Sequence, residues 1–183
     1  MSDELIAQQC SPTLAGIKTG NLFRCAFSSK EELKQDLRKL NRMLGPKGVR
    51  VLPLSVKEQS ALIYLYRPAQ LRRDIQNESA LKILEDKGYP KGSPDRFILH
   101  LMQELKSGNE FPHEIGLFLG YPPEDVQGFI ENQAHNQKCT GCWKVYGDVE
   151  SATRTFHRYH ECTKAYVDMV RKGKSIEQLT IAG

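Results

Sequence analysis

The amino-acid sequence predicts an α+β fold, in which a small, mostly antiparallel N-terminal sheet with helices is followed by a mainly helical C-terminal half. Segments rich in branched and aromatic residues cluster early in the chain, whereas helical periodicity dominates later. Strands and helices that are segregated in this way favour an α+β fold over alternating parallel units. We expect a single domain over residues 1–183, with sub-regions at 1–90 and 91–183 joined near residues 87–93.

The first elements are expected to be short strands followed by an amphipathic helix. Apolar stretches between residues 13 and 27 are interrupted by glycines, which favours two strands or a strand and a bend. Ser28 and Ser29 each precede a glutamate by three residues, which is the spacing of a capping box. Leucines then recur at helical intervals, so we expect a helix that ends at Gly45.

A β-hairpin is predicted next. Residues 49–54 and 61–66 are rich in branched and aromatic side chains, and a polar stretch separates them. Pro53 lies inside the first of these segments and cannot donate a backbone hydrogen bond. We therefore expect Pro53 at a sheet edge or a bulge.

Most of the chain after the hairpin is predicted to be helical. Capping residues or prolines mark the helix starts, and glycines mark several of the ends. We favour a short helix within residues 113–119 because Pro112 fits a first turn. The other expected starts are Pro68, Asn77, Ser93, Pro122 and Asp148, and the expected stops are Gly88, Gly108 and Gly173.

Composition excludes several classes of protein. The chain has 26 Lys and Arg against 22 Asp and Glu, for a net charge of +4, and the two signs are interspersed, so we do not expect nucleic acid as a partner. It has no apolar run long enough to span a membrane and no secretion signal at its start, so we expect a cytoplasmic protein. Five cysteines in such a chain indicate reduced thiols or metal ligands rather than disulfides.

The sharpest chemical signal is the pair Cys139 and Cys142, separated by Thr-Gly. Two thiols at this spacing can bind one metal ion or form a redox-active disulfide. A tetrahedral metal site needs two further ligands, and four thiolates would suit zinc or an iron–sulfur cluster. The candidates to complete it are Cys10, Cys25, Cys162 and His135. The alternatives are thiol exchange and two ordinary buried cysteines.

A second hypothesis is a cysteine hydrolase with Cys10 as nucleophile and His113 as base. A later Asp125 or Asn132 would complete the order of residues found in papain-like enzymes. This chemistry requires a helix N-terminus or a cationic neighbour that lowers the pKa of the Cys10 thiol.

A third hypothesis is a binding module without catalysis, which takes a small molecule or a protein in a pocket around residues 113–121. Prolines and glycines are concentrated there and demand specific backbone turns. Gly116 and Gly120 indicate either close packing or room for a ligand.

Two further groups of polar residues are expected to be ordinary surface. His157 and His160 do not share a helix face with Cys162, so we expect solvated histidines and a core cysteine. Three arginines could bind a phosphate group: Arg67, Arg72 and Arg73. We expect instead that they lie on the surface and keep a helix soluble.

Four strings together resemble a bacterial family catalogued as domain of unknown function 3793. They are residues 10–23, 64–68, 111–126 and 142–148. The resemblance spans nearly the whole chain, and it implies no established activity, cofactor or partner.

Overall fold

A computed structural model describes residues 1–107 and 110–183 of the chain. Helices predominate beside one small antiparallel sheet and one short hairpin, which confirms the predicted α+β class. In chain order the elements are α1 (Asp3–Leu14), β1 (Gly20–Ala26), α2 (Lys30–Leu44), a 3-10 turn (Gly45–Lys47), β2 (Arg50–Val56), β3 (Ser60–Tyr66), α3 (Pro68–Ile75), α4 (Glu78–Asp86), α5 (Pro94–Ser107), α6 (Ile115–Phe118), α7 (Pro123–Glu131), β4 (Cys139–Thr140), β5 (Lys144–Val145), α8 (Val149–Arg171) and α9 (Ile176–Leu179).

The chain divides into two compact units. The terminal unit contains residues 1–69 and 159–183, and the central unit contains residues 70–158. The expectation of one domain over the whole chain stays a prediction. Among the described residues, no helix is both long enough and apolar enough to cross a bilayer.

The sheet of the terminal unit has the strand order β1-β3-β2 and is antiparallel throughout. The predicted hairpin is confirmed as β2 and β3, and β2 is an edge strand whose register shifts between Pro53 and Ser55. The expectation that Pro53 lies at a sheet edge or a bulge is therefore confirmed, because β2 has both features. The side-chain amide of Asn41 covers this edge, because its Nδ2 donates to Val51 O at 2.6 Å and its Oδ1 accepts from Val51 N at 2.9 Å.

Helix α2 forms where the capping residues and leucine spacing predict it. Ser29 Oγ accepts from Glu32 N at 3.1 Å, and Glu32 Oε2 accepts from Ser28 N at 2.9 Å. Leu33, Leu40 and Leu44 are buried in the core of the terminal unit. The cap satisfies backbone donors that the helix leaves open, and the leucine stripe fixes the buried face.

The prediction of strands from residue 13 was wrong for the first part of that segment, because α1 continues through Pro12 to Leu14. Ile6, Cys10 and Leu14 recur at a spacing of four residues and are fully buried. Pro12 has no N–H to donate to the carbonyl oxygen of Gln8, so continuing the helix through this position costs one backbone hydrogen bond. Burial of the apolar stripe outweighs the helix-breaking tendency of Pro12.

Arg67 ties the end of α1 to the C-terminal segment. Its guanidinium donates to Thr13 O, Leu14 O and Ile181 O, each at 2.7 Å, and more weakly to Lys47 O at 3.4 Å. The side chain is only 3% exposed, and burial lowers its pKa. Arg67 is therefore an internal clamp, and the expectation that it keeps a helix soluble was wrong.

Helices α4 and α8 begin at predicted caps, whereas the short helix expected within residues 113–119 begins at Ile115, so Pro112 does not lie in its first turn. Asn77 Oδ1 accepts from Ser79 N and Ala80 N at the start of α4, and Asp148 Oδ1 accepts from Ser151 N at the start of α8. The expected helix stop at Gly108 lies outside the described residues.

Replacing Arg67 with methionine is expected to lower the free energy of unfolding by about 3 kcal/mol, because buried carbonyl oxygens lose their donors. Urea unfolding followed by circular dichroism measures the change. Arg67→Lys keeps the charge but loses the forked geometry, so an intermediate loss is expected. Arg50→Met, on the exposed side of β2, serves as the control. Equal losses for Arg67→Met and Arg50→Met would contradict the clamp.

Candidate functional site

A cleft of about 360 Å³ lies in the central unit, between the last turn of α3 and the residues that join α6 to α7. This volume is within the range of small-molecule sites. The predicted pocket segment, residues 113–121, contributes part of the wall. The lining residues are Arg73, Asp74, Asn77, Leu117, Gly120, Tyr121, Pro122 and Pro123.

Two glycines shape the turn beside the cleft. Gly120 has φ +75°, and Tyr121 N donates to Gly116 O at 3.0 Å, which closes α6 with a left-handed C-terminal turn. A Cβ on Gly116 would lie 2.8 Å from Val126 Cγ2 and 3.0 Å from Tyr121 Cδ2. Gly116 is therefore required by close packing, whereas Gly120 is required by backbone conformation and lines the cleft.

The polar side of the cleft comes from α3 and the cap of α4. The Arg73 side chain is 74% exposed, and its Nε lies 4.0 Å from Asp74 Oδ1. A pair at this distance and exposure holds the guanidinium weakly, so Arg73 can turn towards a bound group. Asn77 uses its Oδ1 to cap α4 and has an Nδ2 group that is a hydrogen-bond donor.

Behind the cleft lies an aromatic cluster. Tyr121 stacks on Trp143 with ring centroids 4.7 Å apart, and Trp143 meets Phe156 edge-on at 4.5 Å. Tyr121 Oη donates to Cys142 O at 3.3 Å. Burial, with a smaller contribution from Cys142, raises the pKa of Tyr121 to about 12, so the phenol keeps its proton at neutral pH.

Asp125 fixes this cluster to α7. Its carboxylate accepts three hydrogen bonds of 2.7 Å, from Trp143 Nε1, Tyr146 N and Gly147 N, and the residue is 3% exposed. A buried carboxylate is tolerated when donors of this kind surround it. Asp125 therefore serves an anchoring role, whereas the hydrolase hypothesis uses it to orient a histidine.

The predicted thiol pair is carried by the hairpin that Asp125 anchors. Cys139 pairs with Val145 across the hairpin, and Cys142 lies in its loop. Cys139 is half-buried, whereas Cys142 is exposed. A Cβ on Gly141 would overlap the Phe156 ring, so glycine is needed there for close packing.

The expected metal ligands do not form a recognisable site. Across residues 1–107 and 110–183, no group of three or more His, Cys, Asp or Glu side chains is placed to hold a metal ion. Cys10 and Cys25 belong to the core of the terminal unit, and His135 is exposed in the central unit. None of the five cysteines, all of which lie among the described residues, forms a disulfide bond.

Cys10 lacks the environment that a nucleophilic thiol needs. It lies within α1, away from the helix N-terminus, and is fully buried. Burial raises the pKa of the thiol far more than nearby Lys18 lowers it. His113 is exposed, and its ring packs against Phe129 with a centroid distance of 4.9 Å. Lys18 is a cationic neighbour, but burial opposes formation of the thiolate, so this environment does not support the hydrolase hypothesis, which stays a prediction.

The expectation for α8 is confirmed for its two histidines and only in part for Cys162, which was expected in the core. His157 and His160 are exposed, and Cys162 packs half-buried against the core of the terminal unit.

A buried polar network next to α5 was missed by the sequence analysis. Tyr89 Oη donates to Glu114 Oε1 at 2.9 Å, and both residues are buried. Burial and the Glu114 carboxylate raise the pKa of Tyr89. The His100 ring lies 4.3 Å from the Tyr89 ring, and His100 Nε2 lies 3.7 Å from Glu104 Oε1. Spacing along the chain gives no signal for the Tyr89–Glu114 bond, because the two residues are 25 positions apart, whereas His100 and Glu104 are four residues apart on α5.

A family model described as "Protein of unknown function (DUF3793)" matches residues 6–180. No curated protein and no solved structure matches the chain.

Replacing Asp125 with asparagine is expected to destabilise the hairpin by about 3 kcal/mol. The carboxylate accepts several charge-assisted hydrogen bonds, whereas the asparagine amide is uncharged and one of its two polar groups is a donor. Trp143 is the only tryptophan, so its fluorescence reports on the hairpin. In Asp125→Asn, emission should shift to the red at lower urea than in the wild type. The control is Glu124→Gln, at the exposed residue next to Asp125, which should leave the urea midpoint of the fluorescence change as in the wild type. Equal urea midpoints in the two variants would contradict an anchoring role for Asp125.

Proposed function

Because the chain belongs to the DUF3793 family, whose description gives no activity, we propose its function from the geometry alone: it is a ligand-binding module whose site is the Arg73–Tyr121 cleft. The observation that carries this proposal is the cleft itself. It has the volume of a small-molecule site, and the glycine- and proline-rich segment that the sequence singles out forms one of its walls.

The proposed ligand is a small polar molecule with an anionic group. The Arg73 guanidinium offers a charged fork that suits carboxylate or phosphate, and Asn77 Nδ2 is a further donor beside it. Asp74 is an acceptor for a hydroxyl or ammonium group on the same ligand. Leu117 and the prolines supply the apolar remainder of the wall.

The lining favours binding over catalysis. The residues that surround the cleft include no cysteine, histidine or serine among those that the structure describes. The described lining therefore supplies no serine–histidine or cysteine–histidine pair for nucleophilic catalysis.

Thermal unfolding in the presence of small anions tests the cleft. The anions to test are inorganic phosphate, succinate and glycerol phosphate. At about ten times its dissociation constant, at least one of these anions should raise the melting temperature of the protein by about 3 °C, because the anion binds only the folded state. Glycerol, which has no charge, should not.

The matched variants are Arg73→Gln, which should abolish the shift, and Arg72→Gln, which changes a neighbour that does not line the cleft. No shift with any of the anions, or equal shifts in both variants, would remove the support for this proposal.

A second candidate function is reversible thiol exchange at Cys139 and Cys142. The specific observation in its favour is that one anchored hairpin carries both thiols and exposes Cys142. With oxidised glutathione as oxidant, the Cys142 thiolate would attack one glutathione sulfur and release the other half as a thiolate. Cys139 would then attack the Cys142 sulfur and release the second glutathione. The pair loses two protons and two electrons, and the oxidant becomes two thiols.

Mass spectrometry after exposure to oxidised glutathione tests this candidate. The wild type should lose two hydrogen atoms, and Cys139→Ser should instead retain one glutathione on Cys142. Cys162→Ser should behave as the wild type. In the reduced protein, iodoacetamide should modify Cys142 well before the fully buried Cys10. Faster modification of Cys10 would favour the hydrolase hypothesis, and an unchanged mass would exclude the dithiol.

A further inference from the structure

A groove in the terminal unit, distinct from the cleft of the central unit, runs between α2 and the edge strand β2. Its volume is about 660 Å³. The charged residues that line it are all cationic: Lys30, Lys34 and Arg38. They recur every four residues, so they form one stripe along α2.

Helix α2 carries three acidic residues, Glu31, Glu32 and Asp36, and none of them lines the groove. Glu32 receives a hydrogen bond from Ser28 N, and Asp36 pairs with the amino terminus of Met1. Among the ion pairs of the described residues, none involves the cations of the stripe. The groove therefore presents positive charge to a partner.

The floor of the groove is apolar. Leu37 and Pro53 are half-buried, and Val56 is 44% exposed. The apolar floor and the cationic rim are complementary to a segment that carries apolar and acidic side chains. Its occupant must combine apolar anchors with acidic groups.

The edge strand cannot accept an added strand at this place. Asn41 already occupies both Val51 N and Val51 O, and Pro53 has no N–H to offer. An occupant must therefore satisfy its own backbone hydrogen bonds, which an α-helix does.

The dimensions favour a helix over a small molecule. The stretch from Lys30 to Asn41 is about 16 Å long at 1.5 Å per residue, which matches about three helical turns. The groove is bounded by one helix and one strand, whereas small-molecule sites enclose most of their ligand. A macromolecular segment can cover such an open surface.

We propose that the groove between α2 and β2 is the docking surface for an acidic amphipathic helix of a partner protein. Apolar side chains of that helix pack on Leu37, Pro53 and Val56, and its carboxylates face the cationic stripe. This assignment is independent of the ligand cleft, because the groove belongs to the other unit.

Fluorescence polarisation with a synthetic helical peptide tests the proposal. The probe carries leucines at i, i+4, i+7 and i+11 with glutamates between them; a scrambled peptide and a version with lysine for glutamate are the comparisons. The acidic peptide should bind, and the double change Lys34→Glu with Arg38→Glu should weaken it about tenfold. The same variant should gain affinity for the lysine peptide.

The matched control is Lys39→Glu with Arg42→Glu, which reverses two exposed cations of α2 that do not line the groove. Its affinity for the acidic peptide should stay within about twofold of the wild type. All of these positions are exposed, and circular dichroism verifies that each variant folds.

Three outcomes would overturn the proposal. The first is that the acidic peptide binds no better than the scrambled one, or that both double variants weaken it equally. The second is self-association of the wild type in sedimentation experiments that is absent in the Lys34→Glu, Arg38→Glu variant. The occupant of the groove would then be a second copy of this chain. The third is tight binding of dodecanoate that displaces the peptide, which makes the groove a lipid-like ligand site.

Discussion

In each unit of this protein, a buried charge joins segments that are far apart in the chain, through hydrogen bonds made mainly to backbone groups. In the terminal unit, the Arg67 guanidinium is surrounded by carbonyl oxygens at the end of α1 and near the C-terminus. In the central unit, the Asp125 carboxylate is surrounded by two backbone N–H groups and the Trp143 indole. A buried charge is costly unless hydrogen bonds replace water, so these segments must stay in place as long as the charge stays buried.

The consequence is clearest in the central unit. Asp125 positions Trp143, Trp143 supports the Tyr121 ring, and Tyr121 contributes to the cleft wall while its hydroxyl binds Cys142 O. The cleft and the thiol hairpin therefore share one side chain. A change in the hairpin at Cys142 would act directly on Tyr121, which is the residue that a ligand in the cleft would contact.

The sequence predicted the features that depend on neighbouring residues. Caps at Ser29, Asn77 and Asp148 began helices as expected, and Pro53 lies on an edge strand beside a register shift. It failed at α1, because the segment from residue 13 that was expected to begin a strand is instead the end of a helix that local spacing did not predict. Packing of Cys10 and Leu14 in the core decided that segment, and such packing is not visible in local spacing.

For the candidate site, local patterns were sufficient to identify two unusual segments: the glycine- and proline-rich stretch that lines the cleft, and the pair Cys139 and Cys142. The roles of these segments depend on the folded arrangement. It buried Cys10 in the core, gave Asp125 an anchoring role and brought Arg73 of α3 to the turn at Gly120. Local spacing specifies caps, periodicity and turns, whereas burial and partners depend on residues far apart in the chain that meet only after folding.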